Sequence, residues 1–349
     1  MLPRHPENLS RIRPGKAGQY TIDKIVRPSC SVDNLQRPPT SCFLSSSHPN
    51  RRSMTETAPV HTRHHGDVDI RISELFVYPI KSCGGQAPSE ALVIETGFEL
   101  DRAWMLVDPD GVHVTQRTAP RMALISTRFR LGQLVLRAPG MLALHLELDR
   151  VGATEPMPVK IWRDEVSAYD MGELAQEWFS KFLGIPVRLV RFDPEQKRIA
   201  DPKWTGGIEA QAAFSDAFPL LVVSQASMDA LNERLLATGE SAVTVQRFRP
   251  NLVLTGLDSH QEDELDELRF ETDEGPIVLK LVKPCTRCSM PNVDPLTGEE
   301  GDQPNQMLAT YRSDPRMDGA VTFGMNAIVV DGIERLLKVG AAGTASYRF

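Results

Sequence analysis

Apolar and polar residues alternate along most of the chain with a period of two, and the runs are short. Val68-Asp69-Ile70-Arg71-Ile72 alternates, and Leu75-Phe76-Val77-Tyr78 continues the pattern up to Pro79. Further strand-like runs follow at close spacing: Ala103–Val107, Val112–Gln116, Gln133–Arg137, Leu142–Leu148, Val159–Trp162, Glu165–Tyr169 and Val187–Val190. Asp108-Pro109-Asp110-Gly111 reads as a hairpin turn. The first helical spacing is Glu173–Phe182, with Leu174, Trp178, Phe179 and Phe182 on one face and Gly184 as the stop. After it come a strand at Leu220–Val223, a helix at Gln225–Leu236 and strands at Leu252–Thr255, near Leu268–Glu271 and at Ile277–Val282. Closing strands are expected near Ala320–Phe323, Ala327–Val330 and Leu337–Val339. Many short strands with few helices predict a mainly β (α+β) protein.

Residues 1–66 break this pattern. They hold eight of the 26 prolines, a Ser45-Ser46-Ser47 run and few periodic apolar positions, too little apolar surface to offset chain entropy. They are expected to be disordered: a plain tail, a transit peptide, or an extension preceding a true start at Met54. The segment lacks the amphipathic helix of a transit peptide and the apolar core of a secretory signal. The expected organisation is 1–66 as a disordered extension, 67–190 as a first β domain, 191–341 as a second, and 342–349 as a C-terminal tail.

The 349 residues are 41% hydrophobic and 24% charged, and no apolar run approaches the roughly 18 residues of a membrane span. Residues 1–66 carry ten Lys and Arg against four Asp and Glu; with the whole chain at −7, the remainder holds a net −13. An acidic body argues against a nucleic-acid partner. Five cysteines in a chain of this length make no disulfide framework and suit a reducing, cytoplasmic location.

Four short segments could carry chemistry. Cys285-Thr286-Arg287-Cys288 places thiols beside a guanidinium after an apolar run. Zinc would need two more ligands, and no Cys or His follows Cys288. A thioredoxin-like pair should open a helix, which Pro291 opposes. Ordinary reduced thiols remain the bland alternative. Tyr78-Pro79-Ile80-Lys81-Ser82-Cys83-Gly84-Gly85 offers a cation, a hydroxyl and glycines that let backbone approach a ligand. In Arg249-Pro250-Asn251 the first and third side chains share one side if extended. Arg102 in Asp101-Arg102-Ala103-Trp104 could pair with Asp101 or bind an anion. Taken singly, each basic residue is as easily a solvated or ion-paired surface group. Together they describe a cleft for a phosphorylated, metal-bearing cofactor.

These segments carry a resemblance that runs from about Ile72 to Val339. With Phe214-Ser215-Asp216, Val223-Ser224-Gln225-Ala226-Ser227, Phe248-Arg249-Pro250-Asn251 and Val293-Asp294-Pro295-Leu296-Thr297-Gly298, the chain resembles MOSC-domain proteins that carry an N-terminal MOSC β-barrel. It is similar to bacterial members and to the mitochondrial amidoxime-reducing component. The resemblance implies a small N-terminal β-barrel domain, a MOSC β-barrel, and a molybdenum cofactor whose metal is held by one thiolate, Cys288. It implies cofactor contacts at Lys81, Ser82, Arg102, Ser224, Arg249, Asn251, Thr286, Arg287 and Asn326. Thr286 stands where relatives often have Ser. Pro291-Asn292 stands where relatives typically have two threonines, which bears on the substrate pocket.

The implied activity is reduction of small N-hydroxylated compounds, such as amidoximes, hydroxylamines and N-hydroxy bases. With no further cysteines after Cys288, no [2Fe–2S] cluster is expected in this sequence, and electrons are expected from a separate ferredoxin- or flavoprotein-type donor. Two alternatives belong to the same family. One is sulfur carriage through a Cys288 persulfide, as in MOSC domains associated with pyridoxal phosphate modules. The other is a non-catalytic cofactor carrier.

Overall fold

The computed structural model describes residues 67–148 and 155–348; the expected disordered extension 1–66 lies outside them. The strands in chain order are β1 (Val68–Leu75), β2 (Glu90–Ile94), β3 (Gly97–Phe98), β4 (Trp104–Val107), β5 (Ser126–Arg130), β6 (Gln133–Arg137), β7 (Leu144–Glu147), β8 (Met157–Ile161), β9 (Asp164–Asp170) and β10 (Arg188–Phe192). They continue as β11 (Leu220–Ser224), β12 (Leu252–Thr255), β13 (Leu265–Thr272), β14 (Gly275–Thr286), β15 (Ser313–Asp314), β16 (Ala320–Asp331), β17 (Leu336–Lys338) and β18 (Ala342–Tyr347). Among the described residues the α-helices are α1 (Glu173–Leu183), α2 (Pro202–Thr205), α3 (Gln225–Ala237) and α4 (Asn305–Ala309). The chain is mainly β, as its alternation predicts.

Seven strands close into a barrel in the order β11, β12, β1, β18, β13, β14, β16, and β16 pairs back onto β11. Closure removes the unpaired edges an open sheet would expose. The pairings around the ring are antiparallel except β11 with β12, which α3 connects as a parallel crossover. Every second residue fills the interior: Ile70 and Ile72 from β1, Leu268 and Phe270 from β13, Ile277, Leu279 and Leu281 from β14, and Met325 and Ala327 from β16.

Two barrel strands come from unexpected places. β1 was expected in the first domain, yet it lies between β12 and β18. The segment 342–349 was expected as a tail, yet Ala342–Tyr347 is a strand bonded to both β1 and β13. Its small residues hide the alternation. Gly343 is required there, because a Cβ would sit 2.5 Å from the Arg269 carbonyl oxygen.

The other layer consists of the sheet β4-β10-β9-β8 and the meander β5-β6-β7. α1 lays Ala175, Trp178, Phe179 and Phe182 against this unit and stops at left-handed Gly184. Leu174, expected on the buried face, is exposed. Val112–Gln116 is not a strand; only Val112 and His113 make bridges. β2, β3 and β5 escaped the sequence reading. In β5 the alternating partners of the apolar positions are Ser126, Arg128 and Arg130, at a strand of mixed exposure. The two strands expected at 320–323 and 327–330 are one, β16, which passes Gly324 at φ +74°. A Cβ at Gly324 would meet the Val222 carbonyl oxygen at 2.6 Å, so the strand can hug β11 only with glycine.

Candidate active site

One end of the barrel meets the layer of β4 to β10 at a cleft. Lys81 and Ser82 reach it from the turn after β1, Arg102 from just before β4, Arg249 and Asn251 from just before β12, Thr286, Arg287 and Cys288 from the end of β14, and Asn326 from β16. Nine of the ten expected site residues therefore line one cavity, although they are spread over 246 positions of sequence. The tenth does not. Ser224 is fully buried as the N-cap of α3, where its hydroxyl accepts from the Ser227 N–H at 3.0 Å. It serves the helix, not the cleft.

The floor is a stack of charge on an aromatic ring. Tyr78 is buried, with the Arg102 guanidinium 4.6 Å and the Arg249 guanidinium 4.2 Å from its ring centroid. Arg102 is locked by an ion pair to fully buried Asp101, by Asn251 Oδ1 at 2.9 Å and by the Arg249 carbonyl at 2.9 Å. Asp101 also accepts from the Tyr78 N–H at 2.8 Å, which ties the two segments together. Arg102 thus pairs with Asp101 and still faces the cavity. Arg249 donates one Nη to the Cys83 carbonyl at 2.5 Å, while its other Nη is buried without a partner. Burial, with Arg102 beside it, pushes the Arg249 pKa down to about 10.

Backbone strain gathers at the same place. Ser82, Arg102 and Arg249 all adopt left-handed φ, at +66°, +48° and +57°. Each costs roughly 1–3 kcal/mol for a residue with a side chain. Arg249 and Asn251 therefore do not share a face by being extended, as the spacing suggested; they converge because both bond Arg102. Gly84 and Gly85 do not open backbone to a ligand. A Cβ on Gly84 would lie 2.9 Å from the Ile125 carbonyl oxygen, and one on Gly85 would strike the Tyr78 ring at 2.5 Å. They make room for the floor itself.

Lys81 is buried and donates to the Phe214 carbonyl at 2.9 Å and to Asp216. Burial lowers its pKa, and the Asp216 carboxylate opposes that shift. Ser82 Oγ and Ser215 Oγ are buried with no partner. Asn326 donates to the Lys283 carbonyl at 3.2 Å, bracing β14 as it enters the thiol loop.

The rim is the loop of Cys288. Arg287 gives its guanidinium to the backbone, donating to Phe248 O at 3.2 Å and to Phe323 O, with Nε at 3.0 Å from the latter. Phe248 and Phe323 stack with centroids 4.2 Å apart. Beyond Cys288, Arg247 donates to the Pro291 and Asn292 carbonyls, each at 3.2 Å, and pairs with Asp294 at 2.9 Å. Asn305 donates to the Cys288 carbonyl at 2.5 Å, and its own N–H bonds Asn292 Oδ1 at 3.1 Å. Pro291-Asn292 is thus anchored through its backbone and the Asn292 amide. Cys288 is exposed, Cys285 is half-buried in the same cavity with its thiol pushed up by burial, and Cys83 is buried with its thiol pushed up to about 12. Among the described residues Cys288 is the thiol most open to a ligand.

Asp216, Ser215 and Arg247 were missed as site residues. The first two lie in the quoted Phe-Ser-Asp segment, and a carboxylate opposite a buried Lys81 was the missing signal. Arg247 sits two residues before Arg249, and nothing local shows that it reaches Asp294. Among the described residues no three His, Cys, Asp or Glu side chains converge on a metal-sized point. A metal at Cys288 would have to bring most of its own ligands.

The arrangement is a two-domain β protein whose domains share one basic cleft with a single open thiol. Family models match both parts: a MOSC N-terminal beta barrel domain over residues 69–186 and a MOSC domain over residues 209–342. The chain belongs to the MOSC family, with both domains in that order. It is 34% identical over 249 residues to mitochondrial amidoxime reducing component 2 of Bos taurus, covering 69% of this chain and 72% of the relative. It is 35% identical over 255 residues to mitochondrial amidoxime-reducing component 1 of Homo sapiens, with the same two coverages.

Proposed function

We propose that this chain is a molybdenum-cofactor enzyme that reduces small N-hydroxylated compounds, using electrons from a separate ferredoxin- or flavoprotein-type donor. One observation carries the reading: three buried, unpartnered polar atoms, Ser82 Oγ, Ser215 Oγ and Arg249 Nη2, belong to residues lining the same cleft as the exposed Cys288 thiol. Buried polar atoms without partners are rare and costly, at about 1–3 kcal/mol each. They fit an anionic, phosphate-bearing group that would satisfy them. The names of the relatives support the choice of substrate class.

Cys288 would ligate the metal, while Lys81, Ser82, Arg102, Arg249 and Asn251 would hold the anionic end. Thr286 and Arg287, at and just past the end of β14, and Asn326, within β16, frame it. When bound, the cofactor supplies two-electron chemistry that breaks an N–O bond, giving the amine or amidine and water from two electrons and two protons. The protein's residues do the rest by position. Preorganised guanidinium groups in a partly buried cleft stabilise negative charge without reorganising. Asp101 and Asp216 keep Arg102 and Lys81 aimed, and the Arg247 and Asn305 bonds hold the thiol loop at the opening.

Among the described residues no helix is long and apolar enough to cross a membrane. The cytoplasmic placement expected from the cysteines stays part of this reading; fractionation of cells tests it against the mitochondrial location in the relatives' names. The activity is tested by metal and pterin analysis of the purified protein, followed by benzamidoxime reduction with a supplied reductant. Stoichiometric molybdenum with turnover is expected. Persulfide at Cys288 without metal would replace this reading with sulfur carriage, and metal without turnover under several donors would leave a cofactor carrier.

A further inference from the structure

Trp162 is in the wrong place for a hairpin and the right place for the cleft. It is the first residue of the two-residue turn between Ile161 and Asp164, which pair across β8 and β9. Its φ is +55°. Tight hairpins favour Gly, Asn or Asp at such positions, and a bulky aromatic there is strained. The side chain is 44% exposed, so core packing does not demand it either.

What holds Trp162 points inward. Its indole N–H donates to Asp216 Oδ1 at 3.3 Å, and the Lys81 ammonium lies 5.8 Å from its ring centroid. Asp216 and Lys81 both line the cleft. The His113 ring meets the indole edge-on at 4.5 Å. The Arg117 guanidinium stacks 4.3 Å from the indole centroid. Arg117 Nε bonds Thr115 Oγ1 at 3.4 Å, while its terminal nitrogens have no hydrogen-bond or carboxylate partner among the described residues. A guanidinium held over an indole, with its terminal donors uncommitted, suits a carboxylate or phosphate.

We propose that Arg117 and Trp162 form a recognition element for substrates that carry an anionic group on a planar body. The anion takes the Arg117 fork, the plane lies against the Trp162 edge, and the N-hydroxyl end enters the cleft toward Cys288. This deepens the proposed activity and rests on it. A solvated surface stack is the competing account. It explains neither the strained turn nor the bond from Trp162 to a residue of the cleft wall.

The test compares benzamidoxime with 4-carboxybenzamidoxime on cofactor-loaded protein. The wild type should favour the acid in kcat/KM by about tenfold, the scale of one charge-assisted hydrogen-bonded contact. Arg117→Gln should bring the ratio of the two substrates close to one. Trp162→Gly, which the turn accepts, should lower it as well. A wild type without preference, or Arg117→Gln that keeps the preference, overturns the proposal. If loaded protein reduces neither substrate, the proposed activity fails separately, and calorimetry with 4-carboxybenzamidine still decides here. Its affinity should drop about tenfold in Arg117→Gln, and equal affinity overturns the recognition element.

Discussion

Arg102 and Cys288 face the same cleft and are held in opposite ways. The Arg102 floor is buried, bonded side chain to side chain, and strained at the backbone. The Cys288 rim is exposed, and its loop is tied down through main-chain carbonyls by Arg247 and Asn305. The floor depends on particular side chains and so fixes where an anion can lie. The rim leaves the Cys288 side chain exposed and so can present a thiol to whatever the floor has positioned. The two should therefore fail differently. Floor changes should damage the fold, while rim changes should damage ligation or local order alone.

The largest effect belongs to the rim's one proposed ligand. Cys288→Ala should remove molybdenum from the purified protein while leaving the melting temperature of the cofactor-free protein nearly unchanged, since the side chain is exposed. Metal analysis beside a thermal melt checks both halves, and a mutant with full metal content would sink the ligand assignment. On the floor the order reverses. Asp101→Ala leaves Arg102 without its buried carboxylate and the Tyr78 N–H without its acceptor. It should cost about 3–5 kcal/mol of stability even without cofactor. Chemical denaturation measures this, and a loss below about 1 kcal/mol would mean that the floor is not the rigid element described.

The contrast also explains what was legible in the sequence. Floor and rim both sit in short polar segments beside apolar runs, so Lys81, Arg102, Arg249 and Cys288 could be picked out. Their convergence could not be read from spacing, because it depends on barrel closure by β18, whose small residues look like a tail. The left-handed turns at Ser82, Arg102 and Arg249 are likewise invisible, since none is glycine or asparagine. Ser224 was misplaced for a related reason. A serine at a strand-to-helix junction reads equally well as a ligand contact or an N-cap, and here the cap wins. The support of the rim by Arg247 was missed because its partners lie 44 or more positions away.

That support gives a smaller and more local prediction. Arg247→Ala removes two bonds to carbonyls and the pair with Asp294. Amide hydrogen exchange over residues 288–294 should accelerate by about tenfold, the equivalent of roughly 1.4 kcal/mol of local opening. The β14 amides should keep their protection. Acceleration throughout the barrel would show that the rim is not a separately held unit.

The smallest effect is a pH dependence behind the rim. His260 lies 5.8 Å from Phe323 and 5.6 Å from Tyr311 by ring centroids, and Phe323 carries one of the two carbonyls that Arg287 grips. Burial, then Arg312 and Arg234, lowers its pKa from 6.5 to about 4. The unfolded chain therefore binds this proton more readily than the native one. Stability contributed by neutral His260 is full above pH 6.5 and falls as the pH drops toward about 4. His260→Asn keeps a residue that tolerates the left-handed backbone there, at φ +63°, and removes the titration. The difference in melting temperature between wild type and variant should change through this window and level off above it. Parallel curves for the two proteins would remove His260 as the source of acid sensitivity behind the rim.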